Sequence, residues 1–266
     1  AFNEALDYAN EREQFGKKIV EMPAVYQMLK KMEAEIETSR LLMYKTAYYV
    51  DKKEMYEEKK ADGEKVRDQV KKYKALTDLL TPLTKFVTTE IANQVAYDAL
   101  QIHGGCGYMK DFPVERLYRD ARITNIYEGT TQLQVVAALG GIKSNILEEE
   151  FEQFKNMKIK NKDFATDHEL IVHYIEEYQK LIAAIKEMES KEFFDYVGNY
   201  VVELLSIVYR LVLLFPIALE HNQKAEIFRY YLNESDTRIN YLINKVDKLL
   251  ATYGKNIGNL KNKFVQ

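Results

Sequence analysis

The chain has 266 residues, 47% of them apolar and 30% charged, a composition that favours a globular protein with a sizeable core over a disordered one. The formal net charge is −3, with 38 basic and 41 acidic side chains well mixed, so no basic face for nucleic acid is indicated. The single cysteine, Cys106, excludes an internal disulfide and suits a reducing compartment, which we take to be the cytoplasm.

Long helices are predicted in the first half of the chain, where apolar residues recur every three or four positions and glycine and proline are scarce. They are expected over residues 2–12, 22–50, 66–103, 114–126 and 132–147. A kink or break is expected at Pro82, and the glycines 140 and 141 are expected to interrupt the last helix. The charged stretch 51–65 is either a loop or an exposed helix end, and the glycine-rich stretch 104–113 is a loop.

Helices are also predicted in the second half, and no strand is expected anywhere in the chain. The polar stretch 148–167 lacks clear periodicity, so we place a domain boundary there, with domains over residues 1–148 and 149–266. Further helices are expected after an N-cap at Asp167, over about 190–220, and over about 224–253 before Gly254. The predicted fold class is therefore all-α, in two helical parts.

The most apolar run of the chain covers residues 201–219. Glu203, Arg210 and Pro216 interrupt this run. Because charges inside a membrane-spanning helix are costly, the pattern favours a buried core helix, and no membrane span is predicted.

No metal site is predicted. Helical bundles that bind iron use Glu-x-x-His pairs, but the residues three positions before the four histidines are all apolar: Leu100, Ala165, Leu170 and Ala218. The sequence also lacks HExxH, CxxC, G-x-S-x-G and P-loop motifs. His168, His173 and His221 stand apart from any acidic cluster, so we expect them at the surface or in helix caps.

Three short stretches combine polar side chains with glycine at a helix end. They are "NEREQFGKKI" (10–19), "QIHGGCGY" (101–108) and "PVERLYRDARITNIYEGTTQLQ" (113–134). Helix ends and backbone left open by glycine are where proteins hold anions and flat cofactors. Three such stretches in one helical chain predict a large ligand that carries phosphate.

Glu128 lies between Tyr127 and Gly129 in the third stretch. In a partly apolar pocket, such an acid would become a usable general base near neutral pH, for example for a proton next to a carbonyl group. Gly129 would let a substrate approach the backbone closely. A glutamate that caps the start of a helix explains the same residues equally well.

The three stretches resemble the C-terminal helical domain of acyl-CoA dehydrogenases. The resemblance rests on "REQFG" (12–16), "QIHGGCGY" (101–108) and "IYEGTTQLQ" (126–134) in that order, with "RDARI" (119–123) between the last two. It covers roughly residues 1–145 and implies a four-helix-bundle-type domain. Residues from about 160 onward resemble the extra C-terminal helical domain of a longer bacterial branch of the family.

The resemblance implies a reaction and a set of roles. Glu128 would remove the α-proton of an acyl-CoA thioester while the β-hydrogen leaves as hydride to FAD, and its backbone N–H would polarise the thioester carbonyl. Tyr127 and Gly129 would lie along the thioester. The residues implied to contact FAD are Arg12, Gln14, Phe15, Gln101, Gly104, Gly105, Thr130 and Gln132. An electron-transfer flavoprotein would accept the electrons, and a homodimer or homotetramer would share the FAD site between subunits.

The chain also departs from the family pattern. Met22 and Pro23 stand where the family often has an aromatic residue or histidine followed by glutamine. The family's N-terminal helical domain and β-barrel are absent from this sequence, so we expect a fragment that is inactive alone. Two alternatives remain open at this point. One is an acyl-CoA oxidase with the same base, and the other is a non-catalytic helical module for oligomerisation or assembly.

Overall fold

The computed structural model describes residues 1–253 and Ile257. The helices in this part of the chain are α1 (Phe2–Glu11), α2 (Pro23–Ala61), α3 (Arg67–His103), α4 (Gly105–Tyr108), α5 (Pro113–Thr124), α6 (Thr131–Lys143), α7 (Glu148–Lys155), α8 (Lys162–Glu187), α9 (Lys191–Glu220) and α10 (Asn222–Tyr253). Two-residue strands β1 (Glu13–Gln14) and β2 (Lys17–Lys18) and a 3₁₀ helix (Ile19–Glu21) link α1 to α2. The all-α fold class is confirmed.

The β1–β2 hairpin corrects the expectation that the chain has no strand. Glu13 pairs with Lys18 and Gln14 with Lys17, so the connecting turn has two residues. Phe15 and Gly16 form that turn with φ of +54° and +77°, and two-residue hairpin turns commonly need positive φ at both positions. Strands of two residues are too short to show an alternating pattern in the sequence.

The long helices are more continuous than the sequence suggested. α2 runs to Ala61, so most of the charged stretch 51–65 is an exposed helix end. α3 passes through Pro82 without the expected break, because Pro82 is buried and its neighbours Leu79 and Leu83 are fixed in the core. α6 likewise continues through Gly141, where a Cβ would lie 2.7 Å from the Leu79 Cβ, so this glycine allows close helix packing.

The loops carry two further corrections. The stretch 104–113, expected as a loop throughout, contains the one-turn helix α4. The stretch expected to separate two domains contains α7, and α8 begins earlier than expected. Asn161 caps α8 by accepting a hydrogen bond from the Asp163 N–H at 3.0 Å, so the expected cap at Asp167 is wrong. Gly254, expected to end the last helix, lies outside the described residues.

His168 is buried, which corrects its expected place at the surface or in a cap. One of its ring nitrogens lies 2.9 Å from the Phe154 carbonyl oxygen, so the histidine ties α8 to α7. Its ring also packs against Phe154 and Phe215, whose centroids lie 4.9 and 5.5 Å away. A single histidine on an apolar helix face was therefore a core residue. His173 and His221 are exposed.

One apolar core joins the first and second halves of the chain. It contains Leu80 and Leu83 of α3, Leu139 of α6, and Val202 and Phe215 of α9. A Cβ on Gly198 of α9 would lie 3.0 Å from a methyl group of Leu139, which shows how closely α6 and α9 approach. The domain boundary at residue 148 stays a prediction, with the core continuous across it.

A smaller cluster fixes α1 on the C-terminal end of α3. Its buried members are Ala5, Ala9, Ile19, Leu29, Met32, Val95, Ala99, Ile102 and Val114. The Tyr8 ring stacks on the His103 ring with centroids 4.3 Å apart, and both rings contact Phe112 edge-on at 5.7 Å. The hairpin after α1 is therefore held beside the glycine-rich end of α3.

α9 is the central helix of the second half. By length and composition it is apolar enough to cross a membrane, but 78% of its most apolar window is buried inside the protein. It also carries the buried Arg210, whose Nη1 lies 2.5 Å from Oε2 of Glu35 on α2. These contacts make α9 a core helix, as its interrupted apolar run indicated.

Candidate active site

The segment 125–131, here named the Glu128 loop, joins α5 to α6. The Thr131 N–H donates to the Asn125 carbonyl at 3.1 Å, which closes the loop on itself. Glu128 and Gly129 lie at its tip with φ of +50° and +96°. A glutamate in the left-handed region is disfavoured by about 1–2 kcal/mol, so other contacts must hold this conformation.

α3 supplies the main support for the Glu128 loop. Lys85 Nζ donates to the Gly129 carbonyl at 2.8 Å, at the tip. Glu90 Oε1 accepts hydrogen bonds from Asn125 Nδ2 at 3.0 Å and from the Thr131 hydroxyl, at the two ends. The loop is therefore attached to one helix at three points.

Gln134, one turn into α6, supports the tip from the other side. Its Nε2 donates to the Glu128 carbonyl at 3.0 Å and lies 3.3 Å from the Gly129 carbonyl oxygen. A Cβ on Gly129 would lie 2.8 Å from that same nitrogen. The φ of +96° favours glycine at position 129, and a Cβ there would displace the end of the Gln134 side chain.

The Glu128 side chain is exposed, and none of the described residues hydrogen-bonds its carboxylate. The partly apolar pocket expected around it is therefore not formed by this part of the chain, which is a correction. Its N–H also has no acceptor among the described residues. The N-cap of α6 is Thr130, two positions later, so the alternative of a helix-capping glutamate is not supported.

Apolar side chains surround Glu128 but do not cover it. Tyr127 is 50% exposed and Ile126 is 42% exposed. Three more large apolar side chains are exposed on the flanking helices: Ile123, Leu133 and Val136. So many exposed apolar residues around one site are typical of a surface that another part of a protein covers.

The residues of the other two stretches meet at the C-terminal end of α3. Arg12, Gln14 and Phe15 follow α1, and the Phe15 side chain is 92% exposed. Gln101 is exposed in the last turn of α3, and Gly104 and Gly105 follow it. Gly104 has φ of +58°, and a Cβ on either glycine would have no heavy atom within 4 Å, so the backbone there is open.

Arg12 also lies at this end of α3. It makes no ion pair with any residue that the structure describes, although Glu11 and Glu13 flank it in the sequence. Burial raises the pKa of Tyr8, the Cys106 thiol beside it raises it further, and the Arg12 guanidinium acts in the opposite direction. An arginine next to backbone opened by glycine is a suitable donor set for a pyrophosphate.

The predicted site residues therefore fall into two groups. The first group lies on the Glu128 loop and the start of α6 and contains Tyr127, Glu128, Gly129, Thr130 and Gln132. The second group lies after α1 and at the C-terminal end of α3 and contains Arg12, Gln14, Phe15, Gln101, Gly104 and Gly105. Glu90 and Gln101 are eleven residues apart on α3. At 1.5 Å per residue that is roughly 16 Å along the helix axis, so the groups do not surround one pocket here.

Three supporting residues were missed from the sequence: Lys85, Glu90 and Gln134. Lys85 and Glu90 are polar positions in a helix that was recognised only by its apolar face. Gln134 is the last residue of the stretch "IYEGTTQLQ", so its place in the motif could have identified it. The sequence instead predicted Gln132 as the residue that contacts the cofactor. Among residues 1–253 and Ile257, no group of three or more histidine, cysteine or acidic side chains could hold a metal ion.

A cleft of about 970 Å³ opens next to the Glu128 loop, between α2 and α3 on one side and α9 and α10 on the other. Glu90, Thr131 and Gln132 line its edge, and Arg210 and Tyr231 lie deeper. The Tyr231 hydroxyl is buried without a hydrogen-bond partner in the described part of the chain. Glu90 thus contacts the loop on one side and the cleft on the other.

The all-α fold is that of the C-terminal domain in a family of flavoprotein oxidoreductases. The family described as "Acyl-CoA dehydrogenase, C-terminal domain" matches residues 1–139, and the chain belongs to the acyl-CoA dehydrogenase family.

Similar proteins include subunit CarC of the caffeyl-CoA reductase–Etf complex of Acetobacterium woodii, 39% identical over 53% of this chain and 31% of that protein. The short-chain specific acyl-CoA dehydrogenase of Clostridium acetobutylicum is 37% identical over 53% of this chain and 32% of that protein. The chain thus spans about a third of the length of these relatives. An acyl-CoA dehydrogenase from Bacillus anthracis, solved with FAD, shares the fold over 98% of this chain and 48% of its own (TM-score 0.74, 19% identity).

Proposed function

We propose that this chain is the C-terminal part of an FAD-dependent acyl-CoA dehydrogenase in which Glu128 removes the α-proton of an acyl-CoA thioester. The observation that carries the proposal is the Glu128 loop. It holds a glutamate in a disfavoured conformation, with its carboxylate free of partners among the residues that the structure describes. Strained backbone that neighbouring contacts maintain is a feature of functional sites. Family membership makes an acyl-CoA the expected substrate.

The Glu128 loop offers two groups to a bound thioester. The carboxylate takes the α-proton, and the Glu128 N–H, which has no acceptor among the described residues, donates to the thioester carbonyl oxygen. That hydrogen bond stabilises the negative charge that develops on the oxygen as the α-proton leaves. FAD supplies the acceptor for the hydride lost from the β-carbon. Tyr127 and Gly129 lie beside the reacting carbons.

We assign the FAD contacts to the two groups of residues separately. Thr130 and Gln132, exposed at the start of α6, face the FAD of the same site as Glu128. The family resemblance implies that the second group, which lies roughly 16 Å farther along α3, serves the FAD of a neighbouring subunit. In that group Arg12 pairs with the pyrophosphate, Gly104 and Gly105 let it approach the backbone, and Gln14, Phe15 and Gln101 flank it. The proposal therefore includes a homodimer or homotetramer.

Three further points belong to this proposal. An electron-transfer flavoprotein accepts the electrons, which the name of the Acetobacterium woodii relative favours. The enzyme works in the cytoplasm. The chain alone is inactive, because the described residues leave Glu128 open to water.

The test uses the parent enzyme, the longer protein to which we assign this chain. Wild type and the Glu128→Gln variant are mixed with a panel of acyl-CoAs without oxygen, and loss of the oxidised flavin absorption band is followed. The substitution keeps the shape and removes the base. We expect the wild type to bleach and the variant to bind acyl-CoA without bleaching. Glu189→Gln is the matched control, since Glu189 is also exposed with φ of +50° but lies in the distant α8–α9 connection.

Three results would overturn the proposal or a part of it. Equal bleaching of wild type and Glu128→Gln would place the base elsewhere. A wild-type protein without flavin would leave the assembly module as the better description. Rapid reoxidation of the reduced flavin by oxygen would replace the dehydrogenase with the oxidase.

A further inference from the structure

Two side chains of α3, Lys85 and Glu90, make their hydrogen bonds within the described part of the chain to the Glu128 loop alone. Lys85 Nζ binds the Gly129 carbonyl at 2.8 Å and lies 5.6 Å from the Tyr127 ring centroid. Glu90 accepts hydrogen bonds from Asn125 and Thr131. All four partners, Gly129, Tyr127, Asn125 and Thr131, belong to the loop.

Glu90 closes the Glu128 loop at its base. A single carboxylate oxygen accepts from Asn125, where the loop begins, and from Thr131, where α6 begins. Hydrogen bonds to a charged acceptor are shorter and stronger than those between neutral groups. The oxygen therefore fixes the distance between the two ends, and with it the shape of the five residues between them.

Lys85 fixes the tip. The Gly129 carbonyl that it binds follows directly after Glu128, so the bond orients the peptide plane next to the proposed base. α3 gives these two side chains a rigid base, because Leu83 and Val87, their neighbours on the helix, are buried in the main core. The direction of the Glu128 side chain is thus set by a helix and not by the loop alone.

We propose that Lys85 and Glu90 are positioning residues for Glu128, which keep the loop in the one conformation from which the carboxylate reaches the α-proton. This inference rests on the proposed function. Neither side chain touches the substrate. Displacing a reacting group by about 1 Å can lower a rate by about 100-fold, so small movements of the loop tip are enough for a large effect.

The test has two readouts, made on the parent enzyme. The first is hydrogen–deuterium exchange of the amides in segment 125–131 of the substrate-free protein, measured by mass spectrometry. The second is exchange of the α-hydrogens of phenylacetyl-CoA with D₂O, followed by NMR. This thioester has α-hydrogens but no β-hydrogens, so it reports proton removal by Glu128 without net oxidation.

We expect Glu90→Gln and Lys85→Met to speed amide exchange in the loop at an unchanged melting temperature. We expect both to slow α-hydrogen exchange by about 10- to 100-fold. Thr131→Val removes the hydrogen bond between the Thr131 hydroxyl and Glu90, so its α-hydrogen exchange should be as slow as that of Glu90→Gln. Thr131→Ser keeps the hydroxyl, so it should exchange α-hydrogens at the wild-type rate. Gln94→Ala is the control, because Gln94 lies one turn after Glu90 and, within the described part of the chain, its side chain bonds to Asp98 of its own helix alone, at 3.0 Å.

The outcomes separate this inference from the proposed function. If wild type exchanges the α-hydrogens, Glu128→Gln does not, and Glu90→Gln matches wild type, the positioning roles are wrong and the base stands. If wild type exchanges none, both proposals fall, since a positioning residue requires a base to position. Should Glu90→Gln fail to fold, Thr131→Val decides in its place.

Discussion

The ion pair between Arg210 and Glu35 should be asymmetric in its effect on stability. Arg210 on α9 is fully buried, whereas the Glu35 side chain on α2 keeps 28% of its exposure. Arg210 Nη1 lies 2.5 Å from Glu35 Oε2 and 3.1 Å from the Thr38 hydroxyl. Burial lowers the pKa of Arg210, but Glu35, Tyr231 and Glu203 together more than offset this, so the pKa is raised overall and the arginine stays charged.

Replacing Glu35 and replacing Arg210 should therefore change the free energy of unfolding by different amounts. Glu35→Gln leaves a charged guanidinium in the core, and breaking a buried pair in this way costs about 3–5 kcal/mol. Because Glu35 is partly exposed, we reduce the expected loss of unfolding free energy to about 2–3 kcal/mol. Arg210→Met leaves a carboxylate that can turn to water and fills the space with apolar atoms, so its effect should be about 1 kcal/mol or less.

The measurement is urea unfolding of the wild type, both single variants and the double variant, followed by far-ultraviolet circular dichroism. The double variant should be close to Arg210→Met, because no charge is then left buried. A larger loss for Arg210→Met than for Glu35→Gln would refute the reasoning, since it would mean that the carboxylate, not the guanidinium, depends on its partner.

Three further outcomes follow from the structure. Gly129→Ala should distort the Glu128 loop, because the positive φ disfavours alanine by about 1–2 kcal/mol and Gln134 would be displaced; loop amide exchange should rise and flavin bleaching should slow. Burial and the Glu150 carboxylate raise the pKa of Tyr49 and Tyr209. The unfolded tyrosines ionise near pH 10 while the folded ones do not, so stability should be complete below about pH 10 and fall above it, less so in the Tyr49→Phe, Tyr209→Phe variant. Arg12→Met should weaken FAD retention in the parent enzyme at least about tenfold, measured by flavin release on dialysis, while melting of the helices is unchanged.

The sequence was sufficient for features that repeat or that lie close together along the chain. Apolar spacing predicted the long helices, and the interrupted apolar run predicted that α9 is buried. The three glycine-containing stretches supplied the candidate site residues, whose roles stay a prediction. The two-residue strands were not predictable, because an alternating pattern needs more residues than the hairpin has.

Contacts between distant positions were not predictable from one sequence. Glu90 binds residues 35 and 41 positions later, and nothing in its local pattern distinguishes it from a solvated polar residue. Asp167 and Asn161 are both suitable N-cap residues, so the sequence alone does not show which of them caps α8. The packing of Phe164 and His168 on α7 and α9 places the N-cap of α8 at Asn161. The expected pocket at Glu128 failed for another reason, since its walls are not among the described residues.

The division of the site residues along α3 has a consequence for assembled subunits. If each active site takes Glu128 from one subunit and Arg12 from its neighbour, the two substitutions disable different sites in a mixed dimer. Pairing a Glu128→Gln subunit with an Arg12→Met subunit would place both defects in one site and leave the other with a native base and a native arginine. The two impaired preparations, unfolded and refolded together, would then complement each other and recover activity in the mixed dimers.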